Sequence, residues 1–288
     1  MRLVWLPALL LFAALPAFGV TSNVTAKLGA ISGNSRYQIG EKSPVSELVF
    51  PLNTLLFQAE GGISWENVVF FRVGLGKNIS SYSGKMTDSD WDSSGNLETY
   101  SESDSDLNLF TADAHFLVNC IETPVNGLRV GLGYYYQNFD FTISNTRQTY
   151  PSSNKPPEYI PDKTLLYSIV YHIPVFEIVG YSHWQAIRSS LAIGYSPFVT
   201  SQDSDNHILR SRVGDGNQRG QVWIIDSQLH YQATPQLSFS IDAHYLKTVG
   251  FGRQVQTEYG SSPRTLGIID QTVASDQYSV LFGLRHMF

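Results

Sequence analysis

Apolar and polar residues alternate with a period of two along much of the chain. Leu237, Phe239, Ile241, Ala243 and Tyr245 interleave with Ser238, Ser240, Asp242 and His244. Trp223, Ile225, Leu229 and Tyr231 do so against Asp226, Gln228 and His230, and Phe110, Ala112, Ala114, Phe116 and Val118 against Thr111, Asp113 and His115. Successive side chains of an extended segment point to opposite sides, so each run is a strand with one apolar and one polar face. Ten strands are predicted, at roughly 21–32, 47–58, 66–80, 106–120, 127–143, 163–175, 185–200, 220–232, 236–250 and 275–288. Glu60-Gly61-Gly62, Pro124-Val125-Asn126-Gly127 and Ala233-Thr234-Pro235 read as short turns. The connections at 33–46, 81–105, 144–162, 201–219 and 251–274 read as long ones.

Alternation alone does not say whether the apolar face points to a core or to lipid. The end of the chain separates the two. Tyr278, Val280, Phe282 and Leu284 alternate up to a terminal Phe288, similar to the assembly signal of bacterial outer-membrane barrels. An even strand number with alternating short turns and long loops fits the same architecture. The fold expected is all-β: a ten-stranded antiparallel transmembrane β-barrel with long extracellular loops. Strands longer than the 9–11 residues needed to cross a bilayer should project beyond its outer surface.

Composition supports this reading. Only 15% of residues are charged, against about 25% in soluble proteins. Residues 1–19 read as a signal peptide, with Arg2, an apolar stretch over Leu3–Leu15 and the small-x-small site Ala17-Phe18-Gly19. Residues 20–288 then form the barrel domain. The formal charge of −6 and the lack of any basic run argue against nucleic acid as a partner and are compatible with cationic ones. The single Cys120 cannot form an internal disulfide, and no Cys/His cluster has metal-ligand spacing, so no metal is expected.

Two segments carry candidate chemistry. Gly84-Lys85-Met86-Thr87-Asp88-Ser89-Asp90-Trp91-Asp92 sets two carboxylates two residues apart, in the second outer loop. Asp205-Asn206-His207, in the fourth, sets a carboxylate two residues from an imidazole. Residues i and i+2 of an extended segment share a face, and the two loops emerge on facing sides of a ten-strand mouth. Three carboxylates and an imidazole could therefore surround one water, a general-base arrangement able to cleave an amide. Spacing does not select these residues, since Asp104/Asp106 and Asp203/Asp205 share it.

These segments resemble the omptin family of ten-stranded outer-membrane endoproteases, over essentially all of residues 20–288. Gly84–Trp91 resembles the segment with the family's catalytic Asp pair. Tyr195–Val199, followed by Thr200–His207, resembles the segment with its Asp-x-His dyad. The resemblance implies Asp88, Asp90, Asp205 and His207 as catalytic residues, a water nucleophile, and cleavage of peptides or proteins beside basic residues at the outer surface. It implies substrate-binding roles for Asp203 and Glu102, and places Tyr37 where the family has a pocket Glu, with Glu41 four residues on. It also implies lipopolysaccharide as an activator, although Asn138 stands where the family has an Arg. No other cofactor is implied, and outer-membrane lipid is a partner. Two other functions compatible with the barrel are a catalytically silent adhesin or receptor and a small porin, whose lumen Arg72, Asp113, His115, Asp226 and Asp242 could fill.

Overall fold

The structure is a computed structural model and describes residues 19–40, 45–260 and 262–288. The expected signal segment and Glu41 lie outside the described residues, apart from Gly19. The elements are β1 (Val20–Ile39), β2 (Ser46–Pro51), β3 (Thr54–Trp65), β4 (Val69–Asn78), β5 (Tyr82–Trp91), β6 (Leu97–Glu122), β7 (Asn126–Thr149), β8 (Glu158–Ile160), β9 (Leu165–Trp184), β10 (Ile187–His207), β11 (Arg212–Gln232), β12 (Leu237–Glu258) and β13 (Arg264–Met287). All strand pairings among the described residues are antiparallel, and the ring closes through β1–β13 and β6–β7. β2 with β3, and β4 with β5, each make one broken stave, while β8 only extends the edge of β7. Ten staves result.

Near the short turns the alternation is inside-out. Phe239 and Ile241 are 51% and 47% exposed, whereas Ser238, Ser240 and Asp242 are buried. Tyr278, Val280, Phe282 and Leu284 likewise face outward. A water-soluble sandwich has the opposite arrangement, so this belt is built for lipid. Closing the sheet leaves no free edge, so backbone groups pair between neighbouring strands as a bilayer demands. The lumen here is charged and packed: Lys27 contacts Glu60 at 2.5 Å and Asp242 at 2.8 Å, and His115 bridges Asp113 and Glu177.

At the projecting end the interior turns apolar. Phe50 stacks on Tyr167 with ring centroids 4.5 Å apart and contacts Phe141 at 4.8 Å. Tyr37, Leu48, Met86, Leu107, Phe139 and Ile143 complete the same core. Such aromatic pairs contribute about 0.5–1.5 kcal/mol each beyond their burial. The core plugs the lumen and supports the rim above it.

The expected long connections are mostly strand. β5, the start of β6, the end of β10 and the start of β11 run through 81–105 and 201–219, and the β10–β11 ladder continues to His207 opposite Arg212. Beyond the lipid belt the outer face no longer needs apolar residues, so alternation fades while backbone pairing persists. Glu60-Gly61-Gly62 is also not a turn. It lies within β3, and the reversal comes at Glu66-Asn67, both with positive φ. A Cβ on Gly62 would lie 3.0 Å from the Asn23 side chain, so this glycine serves close approach. The sixth stave passes 175 and runs to Trp184, through Pro174. Pro174 and Pro197 both fall in the gap of the β9–β10 ladder between Tyr195/Phe176 and Thr200/His172, where no N–H is needed.

Candidate functional site

Asp88 and Asp90 are on β5, a strand and not a loop, on the face that continues from buried Met86. Asp203, Asp205 and His207 share the inward face of β10. The two strands meet across the mouth. Asp88, Asp90, Asp205 and His207 line one cavity of about 110 Å³, with Tyr37, Leu48, Arg210 and Arg212 among its walls. A second, of about 80 Å³, is lined by Asp88, His207 and Arg210 with Met86, Ser101, Ser103, Thr146 and Leu165. Asp88, His207 and Arg210 therefore stand between two recesses of one groove.

His207 Nε2 lies 3.0 Å from Asp205 Oδ2. With a carboxylate accepting there, Nε2 carries the hydrogen and Nδ1 becomes the basic nitrogen. Nδ1 has no protein partner among the described residues. Burial pulls the His207 pKa down, but the charge and hydrogen bond of Asp205 outweigh it and leave the pKa raised; Asp88 also raises it, and Arg210 opposes. Asp88 is pushed up to about 7, first by burial and then by the neighbouring Asp90 carboxylate. Asp88 Oδ1 and Asp205 Oδ1 are buried without a protein partner among the described residues. Buried carboxylate oxygens are costly when unpaired, so these positions suit a water or a substrate N–H.

The remaining expected site residues are placed differently. Asp203 is 6% exposed and lines neither cavity. Its Oδ1 accepts from Gln218 Nε2 at 2.6 Å and its Oδ2 from Gln271 Nε2 at 2.5 Å. Burial lifts its pKa to about 6 against the pull of those two amides. Gly216 leaves room for the cluster, since a Cβ there would lie 2.2 Å from Asp203 Oδ1. Tyr37 lies on β1 in the wall of the first cavity, with its hydroxyl donating to Gln254 Oε1 at 2.8 Å. Burial, and then the Asp205 and Asp203 carboxylates, raise its pKa. Glu102 is exposed and pairs with Thr87, whereas inward Asp88 pairs with Ser101. It thus stands on the opposite face from the groove and accepts from Tyr100 Oη at 3.0 Å. Arg210 and Arg212 were not among the expected residues. Their only sequence signal is two cations within five residues of the Asp-x-His unit.

A family model described as the Omptin family matches residues 20–288. No curated protein matches the chain. Among solved structures, the outer membrane protease OmpT from Escherichia coli superposes with a TM-score of 0.82 at 18% identity, covering 93% of this chain and 97% of that one. The translocator domain of the autotransporter NalP from Neisseria meningitidis gives a TM-score of 0.37 at 9% identity, covering 98% and 93%. The transport unit of the autotransporter AIDA-I from Escherichia coli gives 0.33 at 11%, covering 96% and 92%.

Proposed function

The chain belongs to the omptin family of outer-membrane proteases, and from that membership we propose that it is a cell-surface endopeptidase acting through Asp88, Asp90, Asp205 and His207. One observation carries the reading: His207, bound to Asp205 through Nε2, lines one cavity together with the Asp88/Asp90 pair. A water held between that pair and His207 would lose a proton to Nδ1 as it attacks the scissile carbonyl. Asp205 stabilises the imidazolium that results. The raised Asp88 lets the pair hold one proton, which limits like-charge repulsion and lets it donate to the forming oxyanion. Return of the proton from His207 to the amide nitrogen expels the amine. No acyl-enzyme forms. The site faces the extracellular side, at the end opposite the short turns.

A preference for basic residues finds little support in the pocket itself. Asp203 has both oxygens committed to glutamines, and Glu102 points outward. Lipopolysaccharide dependence is similarly weakly supported. On the outer wall Asn138 and Asn108 each donate to Asp140 at 3.2 Å, presenting an amide and a carboxylate where a phosphate would need a cation. We propose that activity does not require that lipid.

The test uses refolded protein lacking residues 1–19 against a peptide library, with and without lipopolysaccharide, beside His207→Ala. Cleavage lost in the variant supports the reading. Equal activity in the two, or none from folded wild-type protein, removes it in favour of an adhesin or receptor.

A further inference from the structure

Two guanidinium groups line the catalytic cavity, and neither has an ion-pair partner within 4.0 Å among the described residues. Arg212 opens β11 on the same inward face as Gly214, Gly216 and Gln218. Its ladder neighbours are His207 on β10 and Glu258 on β12. Glu258 is already engaged, accepting from Arg264 Nε at 2.7 Å. Beneath it, Gly214 contributes no side chain, and Arg212 Nε is buried without a partner among the described residues. Arg210 is exposed and lines both recesses of the groove.

The charge of Arg210 lowers the Asp88 pKa from a distance, but cations that served only to neutralise the catalytic acids would be in ion-pair contact with Asp88, Asp90 or Asp205. These two are not. A buried guanidinium nitrogen without an acceptor is costly, and the fork geometry of Arg suits a carboxylate. The walls beyond the catalytic groups offer a basic side chain nothing comparable. The second recess contains no carboxylate except Asp88, and Asp203 is sealed by two amides.

We propose that this protease selects an acidic residue, Asp or Glu, beside the scissile bond, with Arg212 binding its carboxylate inside the cavity and Arg210 adding charge at the rim. The proposal rests on the endopeptidase reading for the position of the scissile bond, but the carboxylate site can be tested without turnover. Peptide would lie along the groove, its acidic side chain directed to Arg212 and its carbonyl between His207 and the Asp pair. A lysine in that position would meet two like charges, and an acidic side chain, which shares the cavity with Asp88, Asp90 and Asp205, is favoured there through its direct contact with Arg212.

The deciding measurement is peptide binding to the full barrel carrying His207→Ala, read by fluorescence anisotropy. Three libraries share one degenerate framework and differ only in a fixed central Glu, Gln or Lys. The Glu library should bind about 10- to 100-fold more tightly than the Gln library, the range expected of a charge-assisted hydrogen bond. Lys should bind weakest. Adding Arg212→Gln should erase the Glu–Gln difference, Arg212→Lys should retain part of it, and exposed Arg210→Gln should reduce it less. Heat-modifiable migration checks that each variant is folded. Equal binding of Glu and Gln, tightest binding of Lys, or an acidic preference unchanged by Arg212→Gln would overturn the proposal. Cleavage by the protein with His207 intact reports separately: cuts at basic residues sink the acidic site and leave the protease, whereas acid-selective binding without cleavage does the reverse.

Discussion

The barrel contains three Asp-x-His units of identical spacing; in Asp242-Ala243-His244 the histidine contacts Asp226 instead, and in the other two it is held by its own aspartate. Asp113-Ala114-His115 lies on β6 in the lumen, and Asp205-Asn206-His207 lies on β10 at the mouth. In each, the histidine Nε2 meets the aspartate, at 2.9 Å in the first and 3.0 Å in the second. The difference is at the other ring nitrogen. His115 Nδ1 meets Glu177 Oε2 at 2.9 Å, and the residue is only 3% exposed, so neither nitrogen can exchange a proton with a substrate. His207 keeps Nδ1 free beside a cavity with two facing carboxylates. One unit is a buried strut and the other a candidate base. A spacing motif thus becomes chemical only where the fold leaves one nitrogen unclaimed.

Removing each histidine should separate the two roles. His207→Ala should lower kcat by about 10²–10⁴-fold, the usual contribution of a positioned general base, and lower the barrel's thermal transition less than His115→Ala, because the carboxylate that loses its imidazole, Asp205, lines a cavity at the mouth. His115→Ala should do the opposite. It takes the imidazole from buried Asp113 and Glu177, leaving them longer contacts, among them Arg72 at 3.8 Å and Tyr135 at 3.3 Å, a loss of up to about 3–5 kcal/mol, while activity per folded molecule stays within a few-fold. Peptide hydrolysis and urea titration in detergent read the two effects. The comparison fails if His115→Ala abolishes cleavage in protein that remains folded.

The same contrast explains what could be read in the sequence. In the lipid belt each strand has one wall against hydrocarbon and one against a polar lumen, and the alternation at 236–250 and 275–288 states this outright. Above the belt both walls relax. Ser201 to His207 pairs residue by residue with Arg212 to Gln218, yet it reads as a polar loop because nothing outside it is apolar. The four candidate catalytic positions were legible through family resemblance, since Asp-x-Asp and Asp-x-His recur elsewhere in the chain. The direction of Glu102 was not. The β5–β6 ladder shifts register between Asp90 and Trp91, and the β6–β7 ladder between Glu102 and Asp104. A one-residue shift reverses the face a side chain takes, so inward parity could not be carried around that hairpin. Arg210 and Arg212 carry no motif at all, and only the closure of β10 and β11 at the rim brings them over the site.

Asp88→Asn sharpens the contrast by removing a charge from the mouth that the lumen would not tolerate losing. Asp88 titrates near 7 in the folded protein, against 3.8 for an ordinary aspartate. The native state therefore holds a proton that the unfolded chain has released between those values, and stability falls as pH rises through that window. Asparagine is neutral throughout. The variant should be more stable than wild type above pH ~7, by on the order of a few kcal/mol at ~1.4 kcal/mol per pKa unit. The gain should shrink as pH falls towards 4. Activity should drop as well. Because Asp88 helps to raise the His207 pKa, the acid limb of the kcat/KM profile should move to lower pH in the variant. A stability gain that does not depend on pH would show that Asp88 is not held by burial and Asp90 as described.

The smallest effect is expected at Tyr37, which separates wall from substrate contact. Its ring packs edge-on to Tyr167 at 5.6 Å, and its hydroxyl donates to Gln254 Oε1. Gln254 Nε2 already lacks a partner among the described residues, so Tyr37→Phe leaves this amide only the long contact of Gln256 Nε2 to its Oε1, at 3.5 Å. The cost should be about 1–2 kcal/mol of stability, well below that of His115→Ala, because a neutral acceptor is easier to strand than a carboxylate. If Tyr37 only shapes the cavity, kcat/KM changes equally and slightly for every peptide cleaved. A loss confined to one residue class beside the cut would mean that the hydroxyl touches substrate and that Gln254 is its partner only in the empty groove. Profiling the variant on the same peptide set distinguishes these outcomes, and it does so without disturbing either of the two compared Asp-x-His units.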